Sequence, residues 1–422
     1  MVSLLDEGRL SQIVAEIRRG NTTARTMGRS WVAQAAGLIL ERLLAAEVEE
    51  ALGRENYRRR RPDQAGYRNG YKQRSLKTAE GKVGVDVPQV RGLDKPFCSP
   101  IWKGLSRRSP VLQKLAVEMY ARGLSTRDIE ELLGEVSGEQ EQTLLSRSAV
   151  SQVSEQLWKE YEAFCQRDLG DFDVVYLFCD AVYESLRRQA GCRQAVLVTW
   201  GICSDGAKVL LHMSLGNKES ADAWLEHFRS LVKRNMPSPL TITTDGAPGA
   251  IRAVETMWPA SERIRCWFHK MKNVLEKVPE ELHATVKRWL LDVRDAPDHA
   301  TGQQRAKALI ERYRRCLPSA MACLAEDLEA SLAHLKLPSL HQRMVRTTNL
   351  CERSFLEERR RSKVIPRFFD EKSCLKLVFA SLGRASQRWN GVRFTAMEKR
   401  QLQTYIRGRQ AMGKKVRDLP AA

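Results

Sequence analysis

The sequence predicts an α/β protein whose central sheet is mixed and is covered by helices. Three apolar runs, at 174–179, 194–203 and 207–213, follow one another through short links, which is typical of a meander of strands. A helical segment, a short strand at 240–244, another helix and a further apolar run at 264–269 come next. This alternation of strands with helices is typical of a sheet whose faces are covered by helices.

The bulk composition indicates a polyanionic partner. The chain has 422 residues, with 70 Lys and Arg against 51 Asp and Glu, and a formal net charge of +19. Basic groups that bind phosphates release condensed counterions, so a protein of this charge is favoured to bind nucleic acid. The alternative is a protein whose surface is basic for solubility alone.

The cysteines and the N-terminus predict a location in the reducing cytoplasm. The ten cysteines are scattered and form no C-x-x-C pair, which favours free thiols over a disulfide framework. Asp6, Glu7 and Arg9 interrupt the N-terminus before any apolar run forms, so we expect no secretory signal peptide. No apolar stretch is long enough for a membrane span, and we expect no membrane partner.

The N-terminal region begins with a helix and continues with a basic segment. Apolar residues at helical spacing predict a helix over 28–52, whose stripe is either a core face or a partner-helix face. Residues 54–74 hold eight Lys or Arg interleaved with tyrosines, which suits phosphate contact and base stacking. The alternative is a solvated basic loop. The residues expected to contact DNA here are Arg58, Arg59, Arg60, Arg61, Tyr67, Arg68, Tyr71 and Lys72.

Residues 110–158 are predicted to be helical again, after a short strand with alternating valines at 83–87. Ser125 is a plausible cap of one helix, and Ser146 or Ser148 of the next. Two short helices, the second rich in polar side chains, predict a helix-turn-helix. The link between them is longer than the usual turn, and the alternative is an ordinary helical bundle.

Two aspartates stand where apolar strands are predicted to end. Asp180 follows the run at 174–179, and Asp245 follows the strand at 240–244. Carboxylates at the ends of neighbouring strands can converge, and such oxygens suit Mg²⁺. A pair of ions about 4 Å apart can activate a nucleophile and stabilise the leaving oxygen in phosphoryl transfer. The alternative for each aspartate is a turn or a helix cap.

Glu352 is the candidate for the third carboxylate. It lies in the first turn of a helix predicted over 349–361. The alternative is a capping box formed by Asn349 and Glu352, and a capping residue can also be a ligand. The helix and its flanks are dense with basic residues that would hold DNA phosphates: Arg346, Arg353, Arg359, Arg360, Arg361 and Lys363.

Cys266 and His269 form a C-x-x-H pair on the predicted fifth strand. They could be half of a zinc site, but no second half lies at normal spacing. We therefore expect the pair to lie near the acidic cluster. Trp258 could stack on a displaced base, although a core position is favoured.

Several dispersed segments resemble the Mutator-like bacterial transposases of the insertion sequence 256 family. The resemblance covers the chain from about residue 50 to about 390. The segments are GYRNGYKQR (66–74), MYARGLSTRDI (119–129), RDLG (167–170), the Asp180 strand, TTDGAPGAIRAV (243–254), RCWFHKMKNVL (265–275) and RTTNLCERSFLEERRRSKVIPRF (346–368).

The resemblance implies a ribonuclease H-like fold with a helical insertion before the last carboxylate. It implies that Asp180, Asp245 and Glu352 are the catalytic and metal-binding triad, and that Cys266 and His269 lie near the active site. The sequence departs from the family pattern at Ala181, where glycine is frequent, and in the stretched helix-turn-helix. Neither departure removes a carboxylate, so we expect an active enzyme.

The predicted function is DNA transposition by metal-dependent strand cleavage and strand transfer. Two ions, Mg²⁺ or alternatively Mn²⁺, are expected, with terminal inverted repeats and target DNA as double-stranded partners. A homodimer or larger assembly in the bacterial cytoplasm, at the nucleoid, is expected because two ends must be joined. Two alternatives stay open: a structure-specific nuclease with the same core, and a non-catalytic DNA-binding regulator.

These interpretations divide the chain into seven predicted segments. They are an N-terminal helical region at 1–53, a basic DNA-contacting region at 54–105, a helix-turn-helix-like domain at 106–168, the first part of the catalytic core at 169–270, a helical insertion at 271–345, the last part of the core at 346–390 and a basic tail at 391–422.

Overall fold

The structure is a computed structural model with two compact units, divided after Gln156. It describes residues 24–62, 64–79, 81–105, 108–137, 144–187, 193–216, 219–363, 365, 367–387 and 389–417, with side chains from residue 32 to residue 408. Among these residues, no helix combines the length and the apolar composition that crossing a lipid bilayer requires.

The first unit contains a β-hairpin packed on a long helix, and several shorter helices. Val83, Val85 and Val87 of the second strand are buried against Ala33 and Leu44 of the first helix, because alternate strand residues share one face. The elements in chain order are α1 (Ala24–Leu52), β1 (Tyr67–Thr78), β2 (Gly81–Arg91), α2 (Pro100–Gly104), α3 (Pro110–Ala121), α4 (Thr126–Ser137) and α5 (Arg147–Gln166), within which the division falls.

The capping residues predicted for the helical region are confirmed. The Ser125 hydroxyl accepts from Asp128 N, and Asp128 accepts in return from Ser125 N, so both ends of a capping box are satisfied. Ser146 Oγ accepts from Ala149 N at the start of α5. The prediction of a helix-turn-helix in this region stays a prediction.

The second unit is built on a five-stranded sheet in the order β5-β4-β3-β6-β7. β3 pairs antiparallel with β4, and β4 with β5, whereas the β3–β6 and β6–β7 pairs are parallel. The mixed sheet and its order of elements were predicted from the sequence. The strands are β3 (Val174–Ser185), β4 (Arg193–Cys203), β5 (Lys208–Gly216), β6 (Thr241–Thr244) and β7 (Glu262–Arg265).

Helices cover the sheet of the second unit, and a group of helices with its own core follows β7. The helices are α6 (Ala221–Lys233), α7 (Pro248–Met257), α8 (Trp267–Leu275), α9 (His283–Arg294), α10 (His299–Tyr313), α11 (Pro318–Ala325), α12 (Leu328–Leu332), α13 (Ser339–Val345), α14 (Asn349–Ser362), α15 (Glu371–Ser386) and α16 (Ala396–Arg417). The last of these occupies most of the predicted basic tail.

The two faces of the sheet carry different structures. Leu177 and Cys179 of β3 face the apolar core formed with α6 and α7, which includes Trp224, Phe228 and Trp258. The core position favoured for Trp258 is therefore confirmed. Because successive strand residues point to opposite faces, Asp180 points the other way, towards the face where α14 packs on β3.

Two local expectations and one alternative were wrong. β3 does not end at Asp180 but continues to Ser185, since β4 pairs along its whole length. The fifth strand ends at Arg265, and Cys266 is the N-cap of α8, so the C-x-x-H pair lies at the start of a helix. The N-cap of α14 is Thr348 without a side-chain cap bond, so Asn349 and Glu352 form no capping box.

Candidate active site

Asp180 and Asp245 lie side by side at the centre of the sheet. β3 and β6 are parallel neighbours, and their register pairs Cys179 with Thr244, the residues directly before the two aspartates. Asp180 continues β3, whereas Asp245 begins the turn that leads to α7. The strand order therefore brings together two carboxylates that are far apart in the chain.

Asp180 is buried with an oxygen that has no partner. The residue is only 6% exposed, and Oδ1 accepts from Ala181 N at 2.8 Å. Oδ2 accepts a hydrogen bond from no residue that the structure describes. Burial and the nearby charge of Asp245 raise the pKa of Asp180 to about 7. An orphaned buried carboxylate oxygen is costly unless a cation or a proton compensates it.

The turn after β6 fixes Asp245. Its Oδ1 accepts from Ala247 N at 2.9 Å. Gly246 has a φ of 89°, a conformation that residues with a side chain rarely adopt. The Asp-Gly pair is thus part of a defined turn, and the turn leaves the carboxylate close enough to Asp180 to raise its pKa.

Glu352 lies in the first turn of α14 and faces His269 of α8. Glu352 Oε1 is 3.3 Å from His269 Nε2, and Oε2 is 3.7 Å from the guanidinium of Arg359. The hydrogen bond from His269 holds the pKa of Glu352 below its ordinary value. Burial lowers the pKa of His269, but its contacts with Cys266 and Glu352 and the charge of Asp180 raise it to about 10. His269 therefore orients the Glu352 carboxylate through Nε2.

Cys266 joins the start of α8 to the start of α14. Its buried Sγ accepts from the backbone N–H of Thr348 at 3.3 Å and from the Thr348 hydroxyl at 3.5 Å. The Thr348 carbonyl oxygen in turn accepts from Glu352 N. The two residues of the C-x-x-H pair hold the same helix, since Cys266 binds its N-cap and His269 binds Glu352.

The donor set fits a divalent cation. Asp180, His269 and Glu352 each offer a ligand atom within 4.8 Å of the other two. Hard carboxylate oxygens suit Mg²⁺ or Mn²⁺, and Asp180 Oδ2 has no other partner among the described residues. Asp245 lies outside this tightest group, although its charge acts on Asp180. His269 contacts Glu352 directly and Cys266 contacts Thr348, and their predicted place near an active site stays a prediction.

A model of a known protein family matches most of the chain. The family is described as "Transposase, Mutator family", and the match covers residues 12–391. The chain belongs to the Mutator family of transposases. The predicted resemblance and the predicted transposase function are therefore confirmed, as is DNA as a partner of the enzyme. The family also implies a divalent metal.

Three relatives illustrate how widely the similarity extends. The chain is 31% identical to the transposase for insertion sequence element ISRM5 of Rhizobium meliloti (strain 1021), over 83% of this chain and 86% of that protein. It is 32% identical to the transposase for insertion sequence element IS6120 of Mycolicibacterium smegmatis, over 65% and 84% of the two chains. It is 25% identical to the transposase for insertion sequence element IS256 in transposon Tn4001 of Staphylococcus aureus, over 83% and 89%.

The basic residues of this transposase near α14 differ in how free they are to bind phosphate. The Arg346 guanidinium is mostly buried and pairs with Asp295. Arg360 and Arg361 pair with Glu357 on their own helix. Arg353 is exposed and lies over the Trp389 ring, and Lys363 is exposed. The prediction that they contact DNA stays a prediction, with Arg346 and Arg361 the least accessible.

The basic segment of the first unit is partly a strand. Arg59, Arg60 and Arg61 are exposed in the irregular chain before β1, and Arg58 pairs with Glu55 at 3.1 Å. Four more of the predicted DNA contacts lie on β1, where Tyr67, Tyr71 and Lys72 are exposed and the Arg68 guanidinium donates to backbone carbonyl oxygens. The alternative of a solvated loop is therefore wrong for the second half of the segment, which is a strand of the hairpin.

Two further groups near the carboxylates of the transposase were not predicted. Arg265 of β7 is buried beside the Asp245 turn. A second pair of acids, Glu184 of β3 and Glu358 of α14, lies along the same strand and helix as Asp180 and Glu352. A signal for Glu358 was present, because it shares helical spacing with the buried Cys351 and Phe355.

Proposed function

We propose that Asp180, Asp245 and Glu352 are the catalytic carboxylates of this transposase and that they hold two divalent ions, Mg²⁺ or alternatively Mn²⁺. The observation that carries this proposal is the meeting of Asp180 and Glu352 within 4.8 Å, beside Asp245 on the neighbouring strand. Two or three like charges in one place are unfavourable without cations. The orphaned Oδ2 of Asp180 supports a ligand at this position.

We also propose that the second unit is a ribonuclease H-like core. The support is its topology: three antiparallel strands followed by two parallel strands on the other side of β3. The helical group at 271–345 lies in sequence between β7 and α14, as the insertion of such a core would. This topology positions the first aspartate centrally, with the second on the adjacent strand and the glutamate on a helix that packs on the sheet.

The chemistry proposed is phosphoryl transfer at the ends of an insertion sequence. Water attacks a phosphodiester and releases a 3′-hydroxyl, which then attacks a phosphodiester of a second strand and displaces its 3′-oxygen. Divalent ions held by such carboxylates lower the pKa of the attacking hydroxyl and stabilise the leaving oxygen. Asp180, Asp245 and Glu352 would together hold these ions, with Asp180 buried at the centre of the sheet.

His269 has a positioning role in this proposal. It holds Glu352 through Nε2 and is itself fixed at the first turn of α8. A carboxylate whose orientation is fixed by a neighbouring donor loses less freedom when it binds a ligand. Cys266 acts on the same helix through Thr348.

The partners proposed are the terminal inverted repeats and a target duplex, bound by a dimer or larger assembly. The exposed arginines before β1 and the basic residues around α14 support phosphate contacts, which position DNA without reading its sequence. The helices α4 and α5 would read the repeats. Two ends must be held together for joining, which is the reason for expecting more than one copy.

The proposal is tested by strand transfer with pre-cleaved repeat ends in Mg²⁺. Asp180→Asn, Asp245→Asn and Glu352→Gln proteins should bind the ends with wild-type affinity but join them at least about 10³-fold more slowly, because several kcal/mol of charge stabilisation is lost. Glu226→Gln is the matched control, since that carboxylate is exposed and pairs with Arg229 on its own helix. Wild-type joining by any of the three variants would remove its residue from the catalytic set.

A further inference from the structure

Arg265 occupies the space where a side chain on Gly246 would be. A Cβ built on Gly246 would lie 0.7 Å from Arg265 Nη1 and 1.8 Å from its Cζ. The guanidinium therefore packs directly on the backbone of the residue that follows Asp245. The parallel register of β6 and β7, which pairs Thr244 with Arg265, brings the two together.

The guanidinium is buried without a full set of partners. Arg265 is 8% exposed, and its Nε donates to no residue that the structure describes. The Asn273 amide is assigned the orientation that satisfies its neighbours, in which its oxygen accepts from Arg265 Nη2 at 3.1 Å and its nitrogen donates to the His269 carbonyl oxygen at 3.1 Å. Arg265 thus contacts the Asp245 turn on one side and is linked to the His269 helix on the other.

A buried arginine with an orphaned nitrogen is costly to keep for stability alone. The contact also explains why residue 246 is glycine: the φ of 89° disfavours other residues, and the guanidinium leaves no room for even a methyl group. A role in fixing the orientation of the Asp245 carboxylate would account for a buried arginine that lowers the stability of the fold.

We propose that Arg265 is a positioning residue for the metal site, which holds the Asp245–Gly246 turn in register with His269 through Asn273. This inference rests on the proposed function, because it assigns Arg265 a role through Asp245. Groups that orient metal ligands typically contribute about 10- to 100-fold to metal affinity or activity.

The test measures Mn²⁺ binding to the DNA-free protein by electron paramagnetic resonance, together with the midpoint of thermal unfolding. Arg265→Ala should weaken Mn²⁺ binding on the order of tenfold and slow strand transfer by at least as much. Arg265→Lys should stay impaired, because an ammonium cannot fill the same planar contact. DNA affinity should be unchanged.

Lys270 supplies the matched control. It is a second buried cation, on α8, but its ammonium donates to the carbonyl oxygens of Cys323 and Glu326 at the end of α11. Lys270→Met should lower the unfolding midpoint while Mn²⁺ affinity is retained. If Lys270→Met weakens Mn²⁺ binding as much as Arg265→Ala does, Arg265 has only a structural role.

A double-mutant cycle tests the contact itself. Gly246→Ala should weaken Mn²⁺ binding on the order of tenfold in the wild-type protein but less than about threefold in the Arg265→Ala background, since the clash is then relieved. Strictly additive effects would overturn the proposed contact. Asp245→Asn distinguishes a failure of the proposed catalytic set from a failure of the role proposed for Arg265. If Asp245→Asn binds Mn²⁺ like the wild type, the proposed catalytic set is wrong. If only Arg265→Ala binds Mn²⁺ normally, the catalytic set stands and the role of Arg265 is overturned.

Discussion

The strand β3 and the helix α14 carry two pairs of acids, and the two pairs have opposite surroundings. Asp180 faces Glu352, and further along the same two elements Glu184 faces Glu358. The first pair meets His269, whose hydrogen bond lowers the pKa of Glu352, while the charge of Arg359 acts on both pairs. Glu358 is 1% exposed, and its carboxyl lies beside Glu184 and Ser362.

Glu184 and Glu358 therefore share a proton, whereas Asp180 and Glu352 are the pair proposed to hold a metal cation. Burial and the adjacent carboxyl of Glu358 raise the pKa of Glu184 to about 8, and burial raises that of Glu358 as well. The comparison teaches that paired carboxylates do not by themselves indicate a metal site. What distinguishes the first pair is a third acid, Asp245, and a histidine that orients Glu352.

The largest expected effect separates the two glutamates of α14. Glu352→Gln should slow strand transfer at least about 10³-fold, because the charge that is lost stabilises the transition state by several kcal/mol. Glu358→Gln should keep the rate within about threefold, since an amide can replace the shared proton in the same volume. Single-turnover kinetics at saturating Mg²⁺ measure both. Equal losses in the two variants would mean that the pairs are not functionally distinct.

A smaller effect is expected from the histidine that marks the first pair. His269→Ala removes the group nearest to Glu352 Oε1, so the carboxylate is no longer oriented towards Asp180. Loss of such an orienting group should weaken Mn²⁺ binding by about 10- to 100-fold. His299→Ala is the matched control, because His299 pairs with Glu329 outside the site. An unchanged Mn²⁺ affinity in His269→Ala would assign that histidine another role.

The two aspartates could be selected from the sequence because apolar runs mark the strands and each aspartate follows one of them. That β3 and β6 are neighbours does not follow from these runs, since it is set by the parallel pairing within the sheet. The end of β3 could not be predicted in the same way. A charged residue interrupts an apolar run, yet the strand continues because β4 supplies hydrogen bonds beyond Asp180.

The start of α8 and the pairing of Glu184 with Glu358 depend on tertiary contacts. A single sequence carries only a weak signal for such contacts. Cys266, Trp267 and His269 continue an apolar run, but the buried Trp267 and Val274 are spaced as on a helix, with Trp267 Nε1 bonded to the Ser331 carbonyl oxygen. Glu358 is equally ambiguous, because nothing in its residue type distinguishes it from the exposed acids of a charged helix. Only its place on the buried stripe of α14 does so.

The shared proton predicts a pH dependence of stability without metal. The folded-state pKa of Glu184, about 8, lies above the ordinary value of 4.5, so the contribution is complete below about pH 4.5 and is lost as pH rises towards 8. Allowing for partial exposure, the loss should be roughly 1–2 kcal/mol. Urea unfolding in EDTA of the wild type and Glu358→Gln should give a difference that grows over this window. A constant difference would contradict proton sharing.

The smallest effect concerns Arg359, whose charge lowers the pKa values of Glu352, Glu184 and Glu358. Arg359→Gln should strengthen Mn²⁺ binding about two- to threefold, because a half-exposed ion pair with Glu352 competes with the metal by less than about 1 kcal/mol. The same variant should weaken DNA binding and reduce its salt slope by about 1 if Arg359 contacts a phosphate. Arg360→Gln is the control, since Arg360 pairs with Glu357 and should leave Mn²⁺ affinity unchanged. Identical Mn²⁺ affinities in the two variants would show that the Arg359 charge does not compete with the metal for Glu352, as expected if Asp245 and His269 alone distinguish the first pair from the second.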